Sequence, residues 1–104
     1  MLLNILKTII EQDPFTEEVN LENKDITILD SNSCDLLSRL KNLKSLNLAE
    51  NYLTKLPSNL SMLANLQEIN VNGNPLEDIQ QAVDSLHTLG PNLKSLSINL
   101  HEEE

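Results

Sequence analysis

The sequence predicts a short α/β solenoid, in which parallel strands stack along one face and helical segments return along the other. Three observations support this prediction. A pattern of leucines recurs along the chain, apolar and polar residues alternate at the start of each copy, and leucines at helical spacing lie between the copies. Aromatic residues make up only 2% of the 104 residues, so the predicted core is aliphatic.

The N-terminal segment is predicted to form an amphipathic helix outside the repeats. Its apolar residues share one helical face: Leu2, Leu3, Leu6, Ile9 and Ile10. Asp13-Pro14 ends the helix, because the residue before a proline avoids the helical conformation. The first copy of a stacked repeat exposes a hydrophobic end, so we expect this helix to cap it. A helix on a membrane surface is the alternative, although its polar face is not basic.

The clearest copy of the repeat runs from Leu43 to Pro57. It reads LKSLNLAENYLTKLP and matches the pattern LxxLxLxxNxLxxLP at every position. The pattern returns with conservative exchanges from Leu66 to Ile79, and a further copy opens at Leu93. The steps between these three starting leucines are 23 and 27 residues. Upstream, Val19 to Leu29 aligns as a degenerate first copy, with Lys24 in place of the asparagine.

Two complete copies in register make the chain similar to the leucine-rich-repeat superfamily over roughly residues 16–100. The LxxLP ending resembles the typical or intracellular regulatory-subunit repeats, and the subfamily is not identified. The resemblance implies parallel strands on a concave face and helices on a convex face. It also implies that a partner protein binds to the concave face or its rim.

These patterns organise the chain into one domain of residues 1–104, as its length also suggests. We expect a cap helix, three repeats and a partial last repeat over residues 1–13, 16–42, 43–65, 66–92 and 93–104. No Asn-x-Leu turn follows the strand that begins after Leu93. An open strand edge templates pairing, so a second copy of the chain or a larger parent chain is expected to cover this C-terminal edge.

Asparagines at the end of each strand are predicted to be buried. Asn51 and Asn74 follow their strands at the point where the chain bends sharply and leaves backbone groups unpaired in the interior. An asparagine side chain offers both donors and an acceptor, so a stack of asparagines can satisfy those groups.

The segments that return between strands differ in predicted length. Leu60 and Leu63 fit one or two helical turns after Pro57. A longer amphipathic helix is predicted over 77–89, ended by Gly90-Pro91, and a similar helix over 35–43 in the first copy.

Charge and composition exclude several functions. A net charge of −9 disfavours nucleic acid and anionic membranes as partners. The single cysteine, Cys34, cannot form an internal disulfide, which indicates a reducing cytoplasmic setting and leaves a nuclear or ciliary one open. Acidic Glu11 and Asp13 stand where a signal peptide would be cleaved. No catalytic constellation, phosphate loop or metal-ligand cluster is evident, so we expect no enzyme activity and no cofactor.

Outward strand positions of successive copies are expected to form a polar ladder on the concave face. The candidate partner-binding residues are Glu18, Asn20, Glu22, Ser45, Asn47, Glu68, Asn70, Asn72, Ser97 and Asn99. Trp, Tyr and Arg, which dominate binding hot spots, are missing from this set, so a polar contact of modest strength is expected. Tyr52, on the loop after a strand, is a candidate anchor at the rim, or else packs along a neighbouring loop.

The function that we expect is a non-catalytic protein-interaction module, either a regulatory or adaptor subunit or the N-terminal domain of a larger one. An acidic chaperone or inhibitor that shields basic proteins is one alternative. Its binding would collapse at high ionic strength. A cytoskeletal or ciliary structural subunit is another alternative, by analogy with small leucine-rich-repeat proteins.

Deletion of residues 1–12 tests the predicted cap. Burial of each apolar side chain, such as Leu2, Leu6 or Ile9, is worth about 1.5–3 kcal/mol. The truncated chain should therefore aggregate or partly unfold, as light scattering and chemical denaturation would show. A truncated chain that is monomeric and equally stable would instead favour a role for the helix in membrane or partner binding.

Overall fold

A computed structural model describes residues 2–57, 60–89 and 93–97 of the chain. Helices and strands alternate along it, apart from one 3₁₀ turn at Leu60–Met62. The helices are α1 (Leu2–Gln12), α2 (Ser31–Ser38) and α3 (Ile79–His87). The strands are β1 (Glu18–Asn20), β2 (Ser45–Asn47), β3 (Glu68–Asn70) and β4 (Ser95–Ser97).

The four strands form one parallel sheet in chain order, β1-β2-β3-β4. Val19 pairs with Leu46, Leu46 with Ile69, and Ile69 with Leu96, so equivalent positions of successive copies lie side by side. Parallel neighbours need a crossover between them, and the helical segments supply it. The predicted α/β fold with parallel strands is therefore confirmed.

The core is aliphatic, as the composition predicts. The two aromatic residues of the chain, Phe15 and Tyr52, are 74% and 58% exposed. Leucines of three copies and of α1 lie in one buried cluster, whose fully buried members include Leu6, Leu21, Leu37, Leu46, Leu48, Leu53, Leu56, Leu60 and Leu66. Each such side chain contributes about 1.5–3 kcal/mol relative to exposure. Because the cluster is continuous across the copies, one repeat cannot unfold without exposing the next.

Asn51 is buried and joins two repeats through its side chain. Its oxygen accepts hydrogen bonds from two amides of the first copy, and its amide nitrogen lies within 3.1 Å of three carbonyl oxygens. The donors are Lys24 and Ile26, and the acceptors are Leu21, Leu48 and Ala49. The predicted role of this asparagine in the bend is confirmed.

Asn74 repeats the arrangement one copy further on. Its oxygen accepts from the Leu53 amide at 3.0 Å, and its nitrogen donates to the carbonyls of Leu48 and Val71 at 2.9 and 3.0 Å. Each asparagine thus completes the turn of the copy before it. The first copy follows helix α1 and not another strand of the sheet, which accounts for Lys24 at the equivalent position, where it is exposed.

The residue before Lys24, Asn51 and Asn74 has left-handed backbone geometry in each copy. The φ angles are 58° at Asn23, 59° at Glu50 and 75° at Gly73. Glycine and asparagine adopt this region at low cost, whereas glutamate does not. At Gly73 a Cβ atom would also meet the carboxylate of Glu50, the end of an exposed side chain that would have to shift. The tight bend therefore sets the residue choice at two of the three copies.

The predicted bounds of α2 and α3 were wrong. Helix α2 begins at Ser31 rather than Asp35, because Asp30 caps it by accepting a 2.9 Å bond from the Ser33 amide. It ends at Ser38, so the predicted extent to residue 43 is too long.

Helix α3 is shorter at both ends than the predicted range 77–89. Its first turn is capped by Asp78, whose carboxylate accepts from the Gln81 amide at 3.1 Å, so the helix begins at Ile79 instead of 77. It ends at His87. The Leu89 amide donates to the Leu86 carbonyl at 3.1 Å, which forms a turn after the helix. Gly90-Pro91, the predicted stop, lies outside the described residues. The single turn at Leu60–Met62 agrees with the prediction for the second copy.

Helix α1 lies against the first copy. Leu6 is fully buried, and the half-buried residues that pack with it on the core are Leu2, Leu3, Ile5, Ile9 and Ile10. The helix contacts α2. It ends at Gln12, two residues before Pro14, as predicted.

Replacing Asn51 or Asn74 by alanine should lower the free energy of unfolding by about 1–3 kcal/mol, because buried backbone groups lose their partners. Asn42→Ala is the matched control: Asn42 is exposed in a turn, so the change should stay below about 0.5 kcal/mol. Chemical denaturation measures all three variants. Equal midpoints would contradict the assigned role.

Candidate protein-binding face

The parallel register places the predicted binding residues in rows across the sheet. One row runs through Glu18, Ser45, Glu68 and Ser95, and the next through Asn20, Asn47, Asn70 and Ser97. The side chains of the first three members of each row are exposed or half-buried. These rows match the predicted ladder.

A third row follows directly after the strands. Glu22, Ala49 and Asn72 are aligned there, since the Asn23 amide donates to the Ala49 carbonyl and the Glu50 amide to the Asn72 carbonyl. Glu22 is exposed, Asn72 is half-buried and Ala49 is buried. Asn99, the predicted last member, lies outside the described residues. Together we call these three sets of residues the polar rows.

The asparagines of the central row also have a structural task that the sequence analysis missed. Each side-chain oxygen accepts a bond of 2.9–3.0 Å from the amide two residues further on, which forms an Asx turn. The three pairs are Asn20 with Glu22, Asn47 with Ala49 and Asn70 with Asn72. Asparagine at one register position in three successive copies is the signal that could have revealed it. The oxygens are committed to the fold, so these residues face a partner chiefly as donors.

The electrostatic character of the polar rows is acidic. Glu18, Glu22 and Glu68 are exposed, and no lysine or arginine belongs to the described part of the rows. The Glu22 carboxylate accepts a 3.1 Å bond from the Asn47 side chain, which holds its charge over the sheet. Beside the first row, Lys44 Nζ lies 3.9 Å from Glu17 Oε1. Such an exposed ion pair contributes little to stability.

Tyr52 lies where the chain leaves the sheet. Its backbone amide donates to the Ile26 carbonyl at 2.8 Å, which fixes the turn against the preceding copy, and its side chain is 58% exposed. The exposure fits the predicted anchor at the rim better than packing along a neighbouring loop. Whether it anchors a partner remains a prediction.

Two titratable groups near α2 have shifted pKa values. Burial raises the pKa of the Cys34 thiol to about 11, and the charge of Asp30 adds to the rise. The thiol is therefore protonated at neutral pH and is a poor nucleophile. Hydrogen bonds from the backbone amide and hydroxyl of Ser33 lower the pKa of Asp30. This capping carboxylate stays charged as a result.

Within residues 2–57, 60–89 and 93–97, no group of three or more His, Cys, Asp or Glu side chains could hold a metal ion. No helix in the same part of the chain has the length and apolar content to cross a bilayer.

Stacked parallel strands, helical returns and bend asparagines define a repeat protein of the parallel-sheet class. A family model described as Leucine Rich repeats (2 copies) matches residues 41–85, which contain the second copy and most of the third. This match confirms the resemblance to leucine-rich repeats over these residues, and the subfamily is not identified. A search of curated proteins found no match. Leucine-rich repeats generally mediate contacts between proteins and are typically not catalytic.

Proposed function

We propose that the protein is a non-catalytic interaction module that binds a partner protein through the polar rows. It would act as a small regulatory or adaptor subunit, or as the N-terminal domain of a longer one, in the cytoplasm. The register of the sheet carries the proposal, because it gathers exposed polar side chains of three copies into one surface. A rigid scaffold that presents aligned side chains is well suited to recognition.

The proposed architecture is a single domain of residues 1–104, shaped as a short arc with the polar rows on its concave face. Helix α1 would cap the arc, since its buried Leu6 covers the core of the first copy. Within the described residues β4 is the last strand of the sheet, and its outer edge is proposed as the contact with a second copy of the chain or with a larger parent chain.

The chemistry of the polar rows favours a basic partner. Three exposed carboxylates lie on Glu18, Glu22 and Glu68, and the chain carries a net charge of −9. A positive surface would be steered toward such a face and held in register by it. The same observation favours a second candidate, an acidic chaperone or inhibitor that shields basic proteins. The two differ in specificity: a regulatory module selects one partner, whereas a shield binds many basic proteins.

Charge reversal of the polar rows tests this proposal. We expect Glu18→Lys/Glu68→Lys to reduce the proteins captured from the native source by about tenfold, since like charges across an interface repel. Quantitative mass spectrometry of the captured proteins gives the readout. The matched control, Glu11→Lys/Asp35→Lys, makes the same charge change on α1 and α2 and should retain them.

Equal capture by the two double variants would contradict binding at the polar rows. Salt separates the two candidates. Between about 0.01 and 1 M ionic strength the screening length falls from about 30 to 3 Å. A shield should release all its partners over that range, whereas a selective module retains the one it fits.

A further inference from the structure

The unequal lengths of the repeats leave a depression on the side of the molecule that carries the helices. The first and third copies return through α2 and α3, helices of 8 and 9 residues, whereas the second returns through a 3₁₀ turn of 3. A cavity of about 640 Å³ lies between the start of α2 and the first turn of α3. Its floor is the segment Thr54–Pro57 of the short copy.

This cavity has a neighbouring cavity at each end, with which it shares lining residues. Toward α1 it shares Thr27 and Ile28 with a cavity of about 220 Å³ that Leu2 and Ile5 also line. Along α3 it shares Gln81 with a cavity of about 390 Å³ that also includes Asp84. We call this row of three adjoining cavities the furrow. None of its lining residues belongs to the polar rows.

The lining of the furrow is apolar near α1 and across its centre. Near α1 it is lined by half-buried Leu2 and Ile5, and Ile28 is 66% exposed where the first two cavities meet. Leu56 and Pro57 continue the apolar lining across the centre.

The charges of the furrow are unevenly distributed. In the cavity near α1, Lys24 offsets Asp25, and in the central cavity Lys55 offsets Asp30. The described lining along α3 contains two carboxylates, Asp78 and Asp84, and no lysine or arginine. Negative charge is therefore concentrated at the α3 end.

The walls of the furrow are held by hydrogen bonds. The side chain of Gln81 donates to the Leu56 carbonyl at 2.6 Å and accepts from the Leu56 amide at 3.3 Å, which joins α3 to the floor. At the opposite wall, Asp30 caps α2 through the Ser33 amide. A preformed groove loses less conformational entropy on binding than a mobile one.

We propose that the furrow binds a segment of a partner protein that carries apolar side chains at one end and lysine or arginine at the other. The apolar end lies against Ile28, where burial removes exposed apolar surface from water. The basic end lies beside Asp84, in the part of the furrow with uncompensated negative charge. This polarity fixes the direction in which the segment lies.

A pair of short labelled peptides tests the proposal on the full chain. One carries leucines in its first half and arginines in its second, and the other has glutamates in place of the arginines. We expect the wild-type protein to bind the leucine–arginine peptide more tightly by at least about tenfold, because the wrong charge is repelled at the α3 end. Fluorescence anisotropy gives the affinities, and amide shifts in NMR spectra should map the site to Ile28, Gln81 and Asp84.

Three variants, all at exposed side chains, probe the two ends. Ile28→Glu should weaken the leucine–arginine peptide by about tenfold, as expected on removing an apolar anchor. Asp84→Lys should weaken it too and should strengthen binding of the leucine–glutamate peptide. Phe15→Glu is the control, since Phe15 is 74% exposed but does not line the furrow, and it should change neither affinity.

Equal binding of the two peptides by the wild-type protein, or no binding of either, would overturn the proposal. So would an Ile28→Glu variant with unchanged affinity, or amide shifts confined to the polar rows. None of these results bears on the capture of partners by the polar rows, because the two surfaces share no residue.

Discussion

The bend after each strand carries backbone amides and carbonyls into an aliphatic interior, and the fold depends on how these groups are satisfied. The turn of one copy is completed by the asparagine of the next: Asn51 bonds the amides of Lys24 and Ile26, and Asn74 bonds that of Leu53. The Leu48 carbonyl accepts from both asparagines. Because an unsatisfied buried group costs about 1–3 kcal/mol, these bonds allow only one register between neighbouring copies.

That register determines both surfaces to which we assign binding. On the sheet side it aligns equivalent outward positions, so the acidic and amide side chains of three copies form the polar rows. On the helix side it stacks copies whose returning segments differ in length, so the short second copy leaves the furrow between α2 and α3. The same stacking therefore gives one acidic surface on the sheet and one recessed surface with an apolar and an acidic end.

Much of the fold and of the polar rows could be predicted from the sequence, because aligning the repeats gives the pairing of the strands directly. The strands, the buried asparagines and the rows through Ser45 and Asn47 follow from aligning the copies. The predicted start of α2 was wrong, because the spacing of the leucines was given more weight than the capping residue Asp30. The Asx turns were missed because they depend on a bond from each asparagine to the amide two residues further on. The spacing of the leucines contains no information about that bond. The furrow depends on how helices of different copies pack, and no local pattern contains that information.

Residue-resolved amide hydrogen exchange is the most direct test of the bond between copies. The Ile26 and Leu53 amides lie outside the strands, and their bonds go to the side chains of Asn51 and Asn74 rather than to a sheet neighbour. If the asparagines hold the stack together, these two amides should exchange only on global unfolding, as slowly as the sheet-aligned amides of Leu21 and Leu48. Fast exchange at Ile26 and Leu53 while Leu21 and Leu48 stay protected would contradict the account.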